Sequence, residues 1–207
     1  MTQTLFDQIG NRKYLVARER AAFVRAAVAE GGAIGSFCLT LALTGARISE
    51  VLALTVERID FGNSAIVFET LKQRKKAVFR AVPVPRQLLN YLENIHGMAG
   101  THFEPECKNS HLWPWGRTNA WKQVKRIMKV AGIVDNLAKP KALRHGFAVE
   151  AGQKGVPLNV VQRWLGHARL ETTAIYVGAL GEEERHLARR AWKSLEAAIP
   201  DQVALPS

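Results

Sequence analysis

The sequence predicts a mainly α-helical fold with a small antiparallel β-sheet (α+β). Three observations lead there. Apolar residues recur at helical spacing up to about residue 54 and again from Thr118 onward, and β-branched and aromatic runs separated by turn signals follow the first of these stretches. A hydrophobic content of 47% over 207 residues is enough to fill a real core. No internal repeat or low-complexity linker divides the chain, which reads as a lead-in over 1–14, one main domain over 15–180, and a C-terminal helix and tail over 181–207.

The elements follow in order. "LVARERAAFVRAAVAEGG" predicts a first helix stopped by Gly31 and Gly32, and "AIGSFCLTLAL", almost wholly apolar, a buried second one. The break at Thr44-Gly45 leads into a third, "ARISEVLAL", where Arg47 and Glu50 stand three apart on one face. "VERIDF", "SAIVFETL" and "AVFRAVPVP" predict the sheet, the last two flanking the basic hairpin "KQRKK". "RQLLNYLENIHG" returns to helical period, and a polar loop then leads to "HLWPWG". After it come "TNAWKQVKRIMKVAG", "PKALRHGFAVEAGQKG", "PLNVVQRWLGH", "LETTAIYVGA" and "EEERHLARRAWKSLEAAI", all read as helical. Pro157 near a helix start and Gly166 just past its end fit the usual asymmetry. Trp164 and Trp192 read as core or docking residues.

Twenty-nine Lys and Arg against eighteen Asp and Glu give a formal charge of +11, which favours a polyanionic partner, nucleic acid first. Between Arg117 and His145 eight basic residues face the single acid Asp135, so Lys122, Lys125, Arg126 and Lys129 are candidate DNA contacts, with Arg74, Lys75 and Lys76 of the hairpin. The balanced terminal helix is expected to face protein instead. No amphipathic anchor, lipidation motif, bilayer-length apolar run or secretory signal is legible, so no membrane partner and a cytoplasmic location are expected. Cys38 and Cys107 are then expected to be reduced, Cys38 acting as a small hydrophobe. His96, His102, Cys107 and His111 match no zinc-ligand spacing, and neither metal nor cofactor is expected.

One chemistry suits the remaining residues. Attack of a side chain on a phosphodiester puts negative charge on the non-bridging oxygens and on the leaving alkoxide, and without a metal the protein must supply cations. Arginine forks suit the oxygens, and a lysine or histidine suits the leaving group because it can hand over a proton. Tyrosine suits the nucleophile, although with a pKa near 10 only about one in a thousand is ionised at pH 7, so neighbours must activate it.

These types occur as Arg47 in "TGARISE", Lys72 in "ETLKQRKK", Lys141 and Arg144 in "KALRHGFA", His167 in "LGHARL", and Tyr176. The pattern resembles the catalytic domain of the tyrosine recombinase (phage integrase) family, whose box I is similar to "TGARISEVLAL" and whose box II is similar to "LRHGFA" followed by "LGHARLETTAIY". The resemblance runs from about Leu15 to about Val177. It implies that Arg47 and Arg144 clamp the scissile phosphate, Lys72 protonates the departing 5′ oxygen, His167 bonds a non-bridging oxygen, and Tyr176 attacks to leave a 3′-phosphotyrosyl bond. Glu50 would orient the cations. Lys75 and Lys76 share the hairpin with Lys72, which has the better register, 25 residues after Arg47.

Two departures stand out. Where the family most often has His three residues before the second arginine, this chain has Lys141, which donates to phosphate but takes the phenolic proton only with a lowered pKa. Some fourteen residues precede the first helix, so the chain looks like the catalytic-domain-only members, which lack an N-terminal clamp. His145, next to the second arginine, is expected to pack or bond locally.

The implied function is site-specific recombination of double-stranded DNA by integration, excision, inversion or resolution, with a homotetramer on paired sites and accessory DNA-binding proteins as possible helpers. The apolar stripe Leu187, Ala191, Leu195 and Ala198 suits a groove on its own or a neighbouring subunit. The rivals are a type IB topoisomerase and a DNA-binding regulator that lost the reaction.

Overall fold

The computed structural model describes residues 5–70, 78–98, 110–169, 171–176 and 190. Helix α1 (Ala17–Glu30) packs on α2 (Gly32–Thr44), whose side chains are buried almost throughout, as its apolar composition requires. Around α2 also pack α4 (Arg86–His96), α5 (Arg117–Val130) and α6 (Pro140–Gln153). Gly45 ends α2 with φ +63°, and a Cβ there would meet the Phe147 ring at 2.5 Å. Both the left-handed backbone and the close approach demand glycine.

Helix α3 (Ile48–Leu52) is shorter than "ARISEVLAL" suggested, because the Glu50 carboxylate reaches back to the Arg47 N–H at 2.8 Å and fixes Arg47 as the N-cap. The expected strand "VERIDF" is mostly a 3-10 turn over Val56–Arg58. Val56 and Ile59 both face the core three residues apart, which is the period of that turn and not of a strand. Only Ile59–Asp60 forms β1; β2 (Ala65–Glu69) and β3 (Phe79–Pro83) complete an antiparallel sheet in the order β1-β2-β3. Phe68 pairs with Arg80 in the β2–β3 register, and Thr70 and Val78 close the described part of the hairpin.

Helix α7 (Leu158–Leu165) ends at Gly166, φ +64°. Helix α8 covers only Glu171–Ala174, after which the Tyr176 N–H donates to Thr173 O in a turn. Thr172, Thr173 and Ile175 are stiff β-branched residues, weak helix formers beside the longer helix the sequence suggested. A second apolar cluster of Leu5, Ala148, Val149, Val161 and Leu165 buries the Tyr176 ring. Among the described residues no helix is long and apolar enough to cross a membrane.

Candidate active site

The N-cap of α3, the start of α6, the turn after α7 and the segment after α8 meet around one cavity of about 740 Å³. Arg47, Lys141, Arg144, His145, His167 and Tyr176 all line it. The first turn of α6 brings Lys139 and Lys141 to the cavity, cations at the helix end that already carries the positive dipole. Such an arrangement disfavours itself unless an anion is to be received.

Arg144, 7% exposed, is held by two backbone carbonyls: Nη1 donates to Gly45 O at 2.8 Å and Nη2 to Leu165 O at 2.6 Å. Burial, with Arg47 nearby, lowers its pKa to about 9, so it remains cationic at neutral pH. Arg47 Nη1 donates to Glu50 Oε1 at 2.7 Å. Glu50, 2% exposed, also accepts from Arg80 Nη2 at 2.7 Å. Burial alone would raise the Glu50 carboxyl, but Arg80, the Arg47 N–H and the Arg47 guanidinium outweigh it and hold the pKa below the usual carboxylate value.

His167 Nδ1 lies 2.9 Å from the hydroxyl of the fully buried Thr173. Burial first, then Arg144 and Arg47, pushes His167 down to about 3. Tyr176, 4% exposed, stacks against His167 with ring planes 16° apart, and burial, partly opposed by Arg144 and Arg47, raises its phenol to about 12. The phenolic oxygen is 2.8 Å from His145 Nδ1, so the local bond expected for His145 is made to Tyr176 itself.

The other candidate residues fall differently. Lys122, Lys125, Arg126 and Lys129 lie on α5 and do not line the cavity. Arg126 instead forms a forked pair with Glu30 of α1, at 2.9 and 2.5 Å, and Lys125 sits over the Trp121 ring. Lys72, Arg74, Lys75, Lys76, the zinc candidates His102 and Cys107, Trp192 and the stripe from Leu187 to Ala198 lie outside the described residues. Sequence reasoning passed over Arg117, Trp121, Lys139 and Arg169 of the cavity wall. It also missed Arg80, whose Nε donates to Trp164 O at 2.7 Å and Nη1 to Thr70 Oγ1 at 3.0 Å, tying β3 to α7 and α3. A signal was present: in β3 residues 80 and 82 point inward, so period two places an arginine in the core, where it needs a buried acid.

A family model, that of the phage integrase family, matches residues 24–183. The chain belongs to that family. Among its relatives are the tyrosine recombinase XerA of Pyrococcus furiosus, 30% identical over 152 residues (72% of this chain, 51% of the relative), and XerD of Pasteurella multocida, 30% identical over 156 residues (71% and 50%). This phage integrase family member thus spans about half the length of the curated relatives it matches. Its fold is similar to that of XerH bound to its difH substrate (TM-score 0.67, 23% identity, 90% of this chain and 59% of that one). It also matches the catalytic domain of bacteriophage HP1 integrase (TM-score 0.60, 19% identity, 90% and 98%).

The two imidazoles of this integrase-family site give it a pH signature. Burial first, then Lys141, Arg144 and Lys13, lowers His145 to about 4. In the unfolded chain both histidines titrate near 6.5, so between about pH 6.5 and 4 the unfolded state binds protons that the folded state refuses. Stability is therefore expected to fall as pH drops through that window. Urea midpoints measured from pH 7.5 to 4.5 should decline, and less steeply in a His145→Gln/His167→Gln double variant.

Proposed function

We propose that the protein is a tyrosine-type site-specific DNA recombinase, cleaving and rejoining strands of double-stranded DNA through a 3′-phosphotyrosyl intermediate and acting in the cytoplasm without metal or cofactor. The observation that carries this reading is the meeting of Arg47, Arg144, His167 and Tyr176 on one cavity, from segments far apart in the chain. Family membership and the naming of its relatives as tyrosine recombinases support it.

Arg144 and Arg47 bind the non-bridging oxygens of the scissile phosphate. Arg144 keeps donors free after its two carbonyl bonds, and those bonds pre-orient the fork so that little reorganisation is needed in the transition state. His167 Nδ1 pairs with the Thr173 hydroxyl; in the tautomer protonated on Nε2 that hydroxyl donates to Nδ1 and the neutral imidazole donates from Nε2 to the phosphate. Lys141 adds charge at the α6 start. Lys72 protonates the departing 5′ oxygen; it follows by two residues Thr70, which lines the cavity. Arg74, Lys75 and Lys76 of the basic run "KQRKK", with Lys122, Lys125 and Lys129, contact the DNA backbone, and four protomers assemble on paired sites.

The test is incubation with nicked suicide duplexes tiled across DNA adjoining the coding gene. A covalent protein–DNA band is the expected result; no adduct on any duplex favours a silent regulator, and relaxation of arbitrary plasmids favours a topoisomerase. Arg144→Lys is expected to lower adduct formation by about 10²–10³-fold. A lysine cannot hold both the Gly45 and Leu165 carbonyls and still present a fork. Rates from single-turnover gels check this.

A further inference from the structure

The proposed reaction needs a group to take the phenolic proton, and the position three before Arg144 carries Lys141, a donor. One helical turn after Lys141, on the same side of α6, stands His145. Its Nδ1 is 2.8 Å from the Tyr176 oxygen, its ring centroid 5.6 Å from the Tyr176 ring, and both side chains are buried. Among the described residues this is the only hydrogen bond of that phenol. Both residues also line the cavity, so the pair stands where a phosphate would enter.

We propose that His145 is a catalytic residue, the general base that takes the Tyr176 proton on Nδ1 as the phenol attacks phosphorus and returns it when the strand is resealed. This rests on reading Tyr176 as the nucleophile. In the forward step the phenolic O–H bond breaks and its proton passes to Nδ1. The oxygen bonds to phosphorus, the bond from phosphorus to the 5′ oxygen breaks, and that oxygen takes a proton from a separate donor, a lysine or water. In the reverse step the 5′-hydroxyl attacks and gives up its proton to that donor, the phosphotyrosyl bond breaks, and the phenolic oxygen recovers its proton from His145.

The groups facing His145 are Lys141 and Arg144 of α6, Lys13 of the N-terminal segment, His167 after α7 and Tyr176 after α8. Burial and these cations keep the imidazole neutral, which is the protonation state a base needs. They also oppose its charging while the phenol is at rest, so the proton does not leave ahead of the attack. An incoming phosphate offsets the surrounding cations, and the phenolic oxygen loses basicity as its bond to phosphorus forms. Transfer to a base already in contact is then coupled to attack.

The test is single-turnover cleavage of a nicked suicide duplex from pH 5.5 to 9 by the wild type, His145→Gln, which keeps a polar side chain but takes up no proton, and His145→Ala. A second duplex carries sulfur in place of the bridging 5′ oxygen, so that its leaving group needs no acid. DNA binding and urea midpoints establish that the variants fold. Both variants are expected to form adduct about 10²–10⁴-fold more slowly at pH 7, with the defect retained on the sulfur duplex and shrinking as pH rises. Added imidazole should partly restore His145→Ala. An undiminished or faster rate in His145→Gln, or a defect that the sulfur duplex removes, overturns the proposal alone. No adduct with the wild type on any duplex overturns the reading of Tyr176 and the proposal with it.

Discussion

Tyr176→Phe is expected to leave no detectable covalent adduct while DNA affinity and fold persist. Phenylalanine keeps the ring that packs against Leu5, Val149, Val161 and Leu165 and removes only the oxygen. The loss strands His145 Nδ1, whose partner at 2.8 Å is gone, at a cost of about 1–3 kcal/mol. Arg47, Arg144 and Lys141 are untouched, so phosphate binding and its salt dependence should match the wild type. Denaturing gels read the adduct and filter binding the affinity. Tyr176→Ala is a poorer control, because it also opens a cavity in the cluster, at about 3–5 kcal/mol.

Glu50→Ala is expected to destabilise the fold by about 3–5 kcal/mol. The carboxylate accepts the Arg47 N–H, Arg47 Nη1 and Arg80 Nη2, each within 2.8 Å. Its removal leaves the Arg80 guanidinium, 7% exposed, without a counter-charge in the core. The charge, not the number of bonds, decides the magnitude: Glu50→Gln keeps the shape and is expected to be nearly as harmful, whereas Glu50→Leu/Arg80→Met removes both charges and should recover most of the stability. Cleavage should not recover, because Arg47 loses the partner that orients it. Because the Glu50 pKa is lowered on folding, its contribution is present above the unfolded carboxylate value and is lost as pH falls through the folded one. Urea denaturation of the four proteins at pH 7 and pH 4 measures both effects.

How far such effects could be read from residues alone differs from place to place. The helices of the main body were legible from apolar runs bounded by stop signals, as at the almost wholly apolar α2 with Gly31 before it and Gly45 after. Arg47, Arg144, His167 and Tyr176 were singled out in the sequence by residue type and by the resemblance of their motifs to the family's boxes, and the fold brings all four to one cavity. Arg80 was not, since it lies outside every motif and its role exists only where β3, α3 and α7 meet. The bond between His145 and Tyr176 depends on where the chain turns after α8, and no local pattern in "ETTAIY" fixes that turn. The basic face was legible only in bulk: composition marked α5, yet Arg126 is occupied by Glu30 while Arg117 and Trp121 line the cavity.

Mass spectrometry of the trapped adduct, after nuclease and protease digestion, tests most directly the claim that this cavity presents a phosphate to a phenol. A single modified peptide carrying a nucleotide 3′-phosphate on the Tyr176 oxygen is the expected result. A linkage at any other side chain, or through a 5′-phosphate, would contradict it.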